Sequence, residues 1–207
     1  MAGSVAALDN AAFDHAPPPM HIVRIAALAA LLAAAGCASN PFSARAMTAS
    51  QLADPARGVV LLSTGAVQRC TMTAMWGPVY QVDTRSTAPG SPIVAIDAPS
   101  ESDFADHFGT LSTLSLPPGR YAVSVQYANP ELESTGKPPA VAFDVVAGQV
   151  TYIGELWRET PCQIKASVLV RDRYDRDVEL ATRLNPAFAA HPPVKALGQW
   201  MPWSTAH

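Results

Sequence analysis

A mainly β fold is the architecture that the sequence predicts: a single antiparallel β-sandwich of seven to nine strands with one C-terminal helix. The first observation is a series of short strand-like runs separated by turns that contain proline and glycine. The second is composition, because nineteen prolines and twelve glycines among 207 residues argue against a helical bundle. The third is that helical spacing of apolar residues occurs in only one segment after the N-terminal region, close to the C-terminus.

The clearest strand covers residues 120–128, where large apolar residues alternate with smaller or polar ones. Connections between neighbouring runs are too short for crossovers, so we expect antiparallel pairing, with a meander over residues 120–157. Gly77-Pro78 is expected to break the chain between the second and third strands. One buried layer should contain Tyr121, Val123, Val125, Tyr127, Phe143, Val150, Tyr152, Ile164 and Val168. The predicted strands cover residues 58–64, 70–76, 79–84, 93–97, 108–116, 120–128, 141–145, 149–157 and 163–170.

A helix is predicted from Asp172 to Leu184, with Asp172 as its N-cap and Asn185-Pro186 as its end. Its narrow apolar stripe should pack on the sandwich, and Trp200 and Trp203 should cover an open edge or an apolar rim. Alternating charges on this helix indicate a solvated face with local ion pairs. A docking surface for an envelope partner is the alternative that this pattern leaves open. The charged residues are Arg171, Asp172, Arg173, Asp175, Arg176 and Asp177.

The N-terminal region contains an apolar run, Ile22–Gly36, of fifteen residues. This run is short for a membrane-spanning helix and suits the apolar part of a signal peptide. The sequence Leu31-Leu32-Ala33-Ala34-Ala35-Gly36-Cys37 resembles the lipobox of bacterial lipoprotein precursors. The resemblance implies a thioether-linked diacylglycerol on Cys37 and cleavage before that residue. A plain secretory signal and a buried alanine-rich helix remain the alternatives.

Residues 1–19 do not fit a signal peptide, because they contain two aspartates and three consecutive prolines. We therefore expect translation to start at Met20. The predicted division is a signal peptide over 1–36, a flexible tether over 37–57, the sandwich over 58–171, and the helix and tail over 172–207. Ala38 follows the lipidated cysteine where an aspartate commonly signals inner-membrane retention. The expected location is therefore the cell envelope, at the outer membrane facing the periplasm.

The charge balance and the cysteines limit which partners and which cellular compartment fit the chain. The full chain carries 14 basic and 17 acidic side chains, so no strong positive field predicts nucleic-acid binding. With Cys37 lipidated, Cys70 and Cys162 remain, and in an oxidising exported compartment such a pair usually forms a disulfide. Two buried free thiols are the alternative. The pair offers too few ligands for a metal site.

A family resemblance appears at Leu116–Val123, where a leucine, prolines, a glycine and a basic residue precede an alternating tyrosine–valine strand. This turn and strand resemble those of transthyretin-like and carboxypeptidase-regulatory-like β-sandwich modules. Val145–Gly154 looks like the hairpin that follows in bacterial lipoproteins built on such domains. An immunoglobulin-like sandwich is the alternative topology. These modules are mostly non-catalytic, so the resemblance implies a fold and no active site.

The sequence contains few motifs typical of catalytic or ligand-binding sites. We find no nucleophile elbow, zinc-protease motif or phosphate-binding loop, and Ser134–Lys137 lacks the upstream glycine that such a loop needs. The acidic loop with Glu101, Asp103, Asp106 and His107 either binds a metal ion or is simply solvated, and its spacing matches no EF-hand. The remaining candidate sets are an acid–base pair among Glu131, Glu133, Glu155 and Glu159, and a glycan-binding strip of Trp76, Tyr80, Tyr121, Tyr127, Tyr152 and Trp157.

The sequence therefore predicts a lipid-anchored structural or protein-interaction module that is not an enzyme and has no cofactor or metal. Its expected partners are the membrane, through the lipid on Cys37, and an envelope protein. An envelope module that binds a glycan or a peptide is the alternative. A cluster of exposed aromatic residues on one sheet face would favour that alternative.

Overall fold

The computed structural model describes residues 41–70, 75–90, 92–97, 101–127, 140–163 and 167–201. These residues form a β-sandwich with a C-terminal helix, as the sequence predicts. The helices are α1 (Ala49–Leu52) and α2 (Tyr174–Leu184), with 3-10 turns at Ala44–Ala46 and Pro186–Ala190. The strands are β1 (Gly58–Ala66), β2 (Met75–Gln81), β3 (Ile93–Ala95), β4 (Leu111–Leu116), β5 (Gly119–Ser124), β6 (Gln126–Tyr127), β7 (Ala140–Val145), β8 (Val150–Arg158), β9 (Val168–Arg171), β10 (Val194–Lys195) and β11 (Gln199–Met201).

Two sheets form the layers of the sandwich. Sheet 1 has the order β10-β8-β1-β4, and β9 also pairs with β8, beyond the end of β10. Sheet 2 has the order β11-β7-β5-β2-β3, and β6 continues beside β2 where β5 stops. Most pairs are antiparallel, but β8 pairs in parallel with both β1 and β10. The expectation of a purely antiparallel sandwich is therefore wrong at the centre of sheet 1.

The predicted meander also ends earlier than expected. Strands β5 and β7 pair as predicted, with Ala122 opposite Ala142, but β8 belongs to the other sheet. The Ala147-Gly148 turn is therefore a corner between sheets and not a hairpin. It is held on the start of β1, because the Gly148 N–H donates to the Arg57 carbonyl at 2.8 Å and the Val59 N–H donates to the Gln149 carbonyl at 2.9 Å.

Strand β2 runs without a break through Gly77-Pro78, where the sequence predicted an interruption. The register places Pro78 between the pairs Val79–Val123 and Trp76–Gln126. This is the point at which β5 gives way to β6, as expected where a proline offers the ladder no N–H.

Two separate cores flank sheet 1. The first lies between the sheets, and it contains Tyr121, Val123, Val125, Phe143 and Val168, as predicted. The second lies on the outer face of sheet 1 under α2, and it contains Val150 and Tyr152, which we had assigned to the first core. Ile164 lies outside the described residues, and the same is true of the side chain of Tyr127.

The segment 41–57 is folded, although it was predicted to belong to the flexible tether. Met47 and Leu52 are buried in the second core, and Thr48 forms a capping box with Gln51 at the start of α1. The Asn185 side-chain amide donates to the Met47 carbonyl at 2.6 Å, which links this segment to the end of α2. Apolar burial and this hydrogen bond make residues 41–57 part of the domain.

The C-terminal segment Val194–Met201 closes one side of the sandwich by pairing with both sheets. Val194 and Lys195 lie beside Thr151 and Tyr152 of β8, and the Gly198 N–H donates to the Ile153 carbonyl at 2.8 Å. The chain then crosses to sheet 2, where Gln199–Met201 pairs with β7. Trp200 thus lies on an edge strand, as predicted, while Trp203 lies outside the described residues.

Candidate functional site

A disulfide joins Cys70 and Cys162, which confirms the predicted pairing. The S–S distance is 2.08 Å and the Cα atoms are 5.2 Å apart. Beside it, the Cys70 N–H donates to the carbonyl of Asp97 at 2.9 Å. The predicted lipid site Cys37 and the whole segment 1–40 lie outside the described residues.

A buried ion pair accompanies the disulfide. The carboxylate of Asp97 pairs with Arg158, and it also accepts a hydrogen bond of 2.7 Å from the Met75 N–H. Both charged side chains are fully buried. Burial raises the pKa of Asp97, and the Met75 N–H and Arg158 oppose that rise in part. Disulfide and ion pair together connect the ends of β1, β3 and β8.

A β-bulge in β8 creates the second polar cluster. Leu61 of β1 is registered with Tyr152, but Ser63 is registered with Glu155, so β8 contains one extra residue between these pairs. Gly154 lies in this bulge with φ +106°, a conformation that L side chains rarely adopt. The extra residue turns Glu155 onto the outer face of sheet 1, under the first turn of α2. There its side chain is fully buried.

Arginines from β9 and α2 converge on this carboxylate. Arg176 lies 2.8 Å from Glu155 Oε1, while Arg171 and Arg173 lie 3.3 and 3.9 Å from Oε2. Burial alone would raise the pKa of Glu155, but the contacts with His107 and Arg176 outweigh it and hold that pKa below its usual range. The three arginines that the sequence assigned to a solvated face therefore surround a buried carboxylate.

A second buried carboxylate, Asp177, lies beside the first. Its Oδ2 accepts hydrogen bonds from Ser63 Oγ at 2.5 Å and from the Tyr152 hydroxyl at 2.8 Å. Arg176 lies 2.7 Å from Oδ1 and so bridges the two acids. Burial raises the pKa of Asp177, and Ser63 and Arg176 reduce that rise. We call Glu155, Asp177, Arg171, Arg173, Arg176 and His107 the charged cluster.

His107 attaches the acidic loop to the charged cluster. Its Nδ1 lies 2.8 Å from Asp106 Oδ1, and its Nε2 lies 3.4 Å from Glu155 Oε1. The ring stacks on Phe104, with centroids 4.4 Å apart, and meets Trp157 edge-on at 5.5 Å. The guanidinium group of Arg176 lies over the Phe104 ring, and that of Arg171 lies over the Trp157 ring.

The other members of the predicted metal loop have separate roles. Asp103 accepts a hydrogen bond from the Leu111 N–H at 2.9 Å, and it lies 3.5 Å from Arg45. Glu101 is exposed. Within the described parts of the chain, no three His, Cys, Asp or Glu side chains are arranged to hold a metal ion.

Two further predicted sets are dispersed. Glu159, just after the end of β8, accepts a hydrogen bond from Ser167, while Glu131, Glu133 and Ser134–Lys137 lie outside the described residues. The aromatic residues form no single strip, because Tyr121 lies between the sheets and Tyr152 lies under α2. Among the members whose side chains the structure describes, Trp76 is the exposed one, with 42% of its surface accessible.

An open groove lies where the C-terminal segment crosses between the sheets. Its volume is about 460 Å³. Two of its apolar side chains are well exposed, Val146 by 50% and Leu197 by 39%. The charges of Arg120 and Asp144 stand on neighbouring strands at its rim. The lining residues are Arg120, Ala142, Phe143, Asp144, Val146, Gln149, Thr151, Ala196, Leu197 and Gln199.

Comparisons with known proteins identify no family. No protein-family model matches the chain, and no curated protein sequence matches it. Among solved structures, it is similar to a candidate cell adhesion protein from Bacteroides fragilis NCTC 9343, with 11% identity and a TM-score of 0.27. The similarity covers 56% of this chain and 46% of that one, so the chain spans less than half of its length. A TM-score this low supports no argument about fold or function.

Proposed function

We propose that the chain is a lipoprotein of the bacterial envelope, anchored by a lipid on Cys37, whose non-catalytic β-sandwich binds another envelope component. The observation that carries this proposal is the Cys70–Cys162 disulfide. Disulfides persist mainly in exported and oxidising compartments. The chain has three cysteines, so pairing two of them leaves Cys37, the residue at the lipobox position, available for the lipid.

The charged cluster supports a structural role for its acids rather than a catalytic one. Glu155 and Asp177 are fully buried, and His107 is 8% exposed. Each carboxylate is engaged by arginine, and a substrate would have to displace the aromatic and guanidinium groups that cover them. The cluster connects β8, α2 and the loop 101–109, which are the elements that surround it.

The membrane assignment rests on sequence. Among the described residues, no helix is both long and apolar enough to span a bilayer. Two or three acyl chains would give a stable anchor where one chain gives reversible binding. Ala38 after the lipidated cysteine favours the outer membrane over the inner one.

Membrane fractionation combined with metabolic labelling by a palmitate analogue tests the anchor. We expect the unaltered protein to be labelled and membrane-bound, and Cys37→Ser to lose both properties because the thiol is the attachment atom. Ser39→Ala provides a neighbouring control that should behave as the unaltered protein does. Labelling and membrane retention that persist in Cys37→Ser would contradict the proposal.

A second candidate function is ligand binding by the sandwich itself, with a glycan or a peptide as ligand. The groove between β7 and the C-terminal segment favours it, because its volume lies within the range typical of small-ligand sites. Its combination of exposed apolar side chains with a few charged ones is also typical of such sites.

A further inference from the structure

The groove contains an unpaired stretch of strand edge. Strand β7 extends to Val145, but β11 pairs only with Ala140–Ala142, and its last registered pair is Gln199–Ala142. The chain before Gln199 turns away to hydrogen-bond with β8. Within the described ranges, no strand pairs with β7 beyond Ala142 on this side.

The register shows which backbone groups face that edge. The Arg120 carbonyl accepts a hydrogen bond of 2.9 Å from the Val82 N–H, so the backbone groups of Arg120 point toward β2 and away from β7. Asp144 stands directly opposite Arg120. In an antiparallel pair, positions whose N–H and carbonyl bond to the partner strand alternate with positions whose N–H and carbonyl point away from it. Arg120 and Asp144 form a pair of the second kind, so the Asp144 N–H and carbonyl point to the open edge.

These two groups determine the kind of ligand. No described residue hydrogen-bonds to the Asp144 N–H or carbonyl. A donor and an acceptor spaced as on a strand edge match the main chain of one residue of an extended peptide. A glycan hydroxyl offers no such fixed pair, so the edge favours a peptide over a sugar.

We propose that this groove binds an extended peptide segment of a partner protein, which adds to β7 as a short strand opposite Asp144. The proposal names the ligand for the second candidate function and rests on it, and it does not depend on the lipid on Cys37. The peptide residue opposite Asp144 has its side chain on the same face as the carboxylate, so a lysine suits it best. Its two neighbours point to the other face, on which Phe143 of the groove lies.

The probe is acetyl-Thr-Val-Lys-Val-Thr-amide, titrated into the full chain in detergent and followed by the NMR signals of backbone amides. We expect saturable shifts centred on Asp144, with Kd on the order of 1 mM because few groups are buried. We also expect the Asp144 amide to exchange its hydrogen quickly in the free protein and at least tenfold more slowly with saturating peptide.

One pair of peptides and one pair of protein variants distinguish strand addition from binding through side chains alone. A peptide methylated on the lysine backbone nitrogen keeps every side chain but lacks the donor to the Asp144 carbonyl, and it should bind at least tenfold more weakly. Asp144→Pro removes the protein's donor at an edge position that tolerates proline, whereas Asp144→Ala keeps it. We expect Asp144→Pro to lose binding and Asp144→Ala to retain it within a few-fold.

Several results would overturn the proposal. These are absence of saturation at millimolar probe, equal binding of the methylated peptide, or pairing of two copies of this chain at β7 in place of peptide binding. If Asp144→Pro unfolds, the two peptides on the unaltered protein decide the question alone. Membrane anchoring through Cys37 is measured separately, so failure of the peptide site is distinguishable from failure of the anchor.

Discussion

Replacement of Glu155 by glutamine tests whether the charged cluster stabilises the domain. The substitution keeps the shape and one acceptor oxygen but removes the only full negative charge facing Arg171 and Arg173 within ion-pair distance among the described residues. The guanidinium groups then stay close together without their counter-ion. Unfolding should become easier because the folded state alone brings these arginines together.

The expected size of the effect follows from burial. Breaking a buried ion pair by removing one partner costs about 3–5 kcal/mol. Here the carboxylate is fully buried, but Arg171 and Arg176 are 27% and 32% exposed, so water can solvate part of the charge left behind. We therefore expect the free energy of unfolding to fall by about 2–3 kcal/mol. For a domain of this size that corresponds to a Tm lowered by about 4–12 °C.

Urea unfolding of the oxidised protein measures this difference, with Glu159→Gln as the control. Glu159 is exposed and accepts one hydrogen bond from Ser167, so its replacement should change stability by less than about 0.5 kcal/mol. Equal effects of the two substitutions, or a more stable Glu155→Gln protein, would refute the stabilising role.

The pH dependence of stability provides a second test, in which the unaltered protein is compared with Glu155→Gln. The folded-state pKa of Glu155 lies below its ordinary value of 4.5, so its ionised form stabilises the fold above that pH. This contribution is lost as the pH falls through the folded-state pKa. The difference in stability between the unaltered protein and Glu155→Gln should therefore narrow in acid, and a gap that widens would contradict the assignment.

Three further tests address the fold, and two of them include a control substitution. Gly154→Ala should destabilise the domain by about 2 kcal/mol or more in thermal unfolding, because at this positive φ the added methyl meets a valine methyl at 2.8 Å. Gly148→Ala is the control, since Gly148 also has a positive φ but the added methyl has no contact closer than 4.0 Å, and it should cost about half as much. The reverse order of these two effects would refute the bulge. Cys162→Ser should lower stability by about 2–5 kcal/mol, and a Tm unchanged from the oxidised protein would count against the disulfide. Val123→Asp should prevent stable folding because it buries an unpaired charge, whereas Gln126→Asp on the exposed face should be nearly silent by circular dichroism; the opposite ranking would mean that the two faces are inverted.

Alternation made the strands of sheet 2 predictable. Tyr121, Val123 and Val125 are buried between the sheets, as expected where the large apolar side chains stand at every second position of a strand. The same rule misplaced Val150 and Tyr152. Sheet 1 is covered on both faces, so burial alone does not say which face a residue takes.

The charged cluster was harder to predict because a bulge changes the face of every residue after it. From the observed position of Val150 on the outer face, counting by twos would place Glu155 between the sheets, and the extra residue at Gly154 turns it toward the arginines instead. Gly154 inside a strand pattern is a signal for such a bulge, but it does not say which residue the bulge redirects. Arg158 gave no signal, because an arginine at a strand end is usually solvated and its partner Asp97 lies far away in the sequence.

The crossing of Val194–Met201 between the sheets has a consequence for the order of assembly. This segment is synthesised after both strands that it joins, since β7 and β8 precede it in the chain. Until it arrives, β7 and part of β8 are bare edges of the kind that recruit strands from other chains. The domain is therefore most prone to aggregation just before this segment emerges, and this is the interval in which a chaperone would help it most.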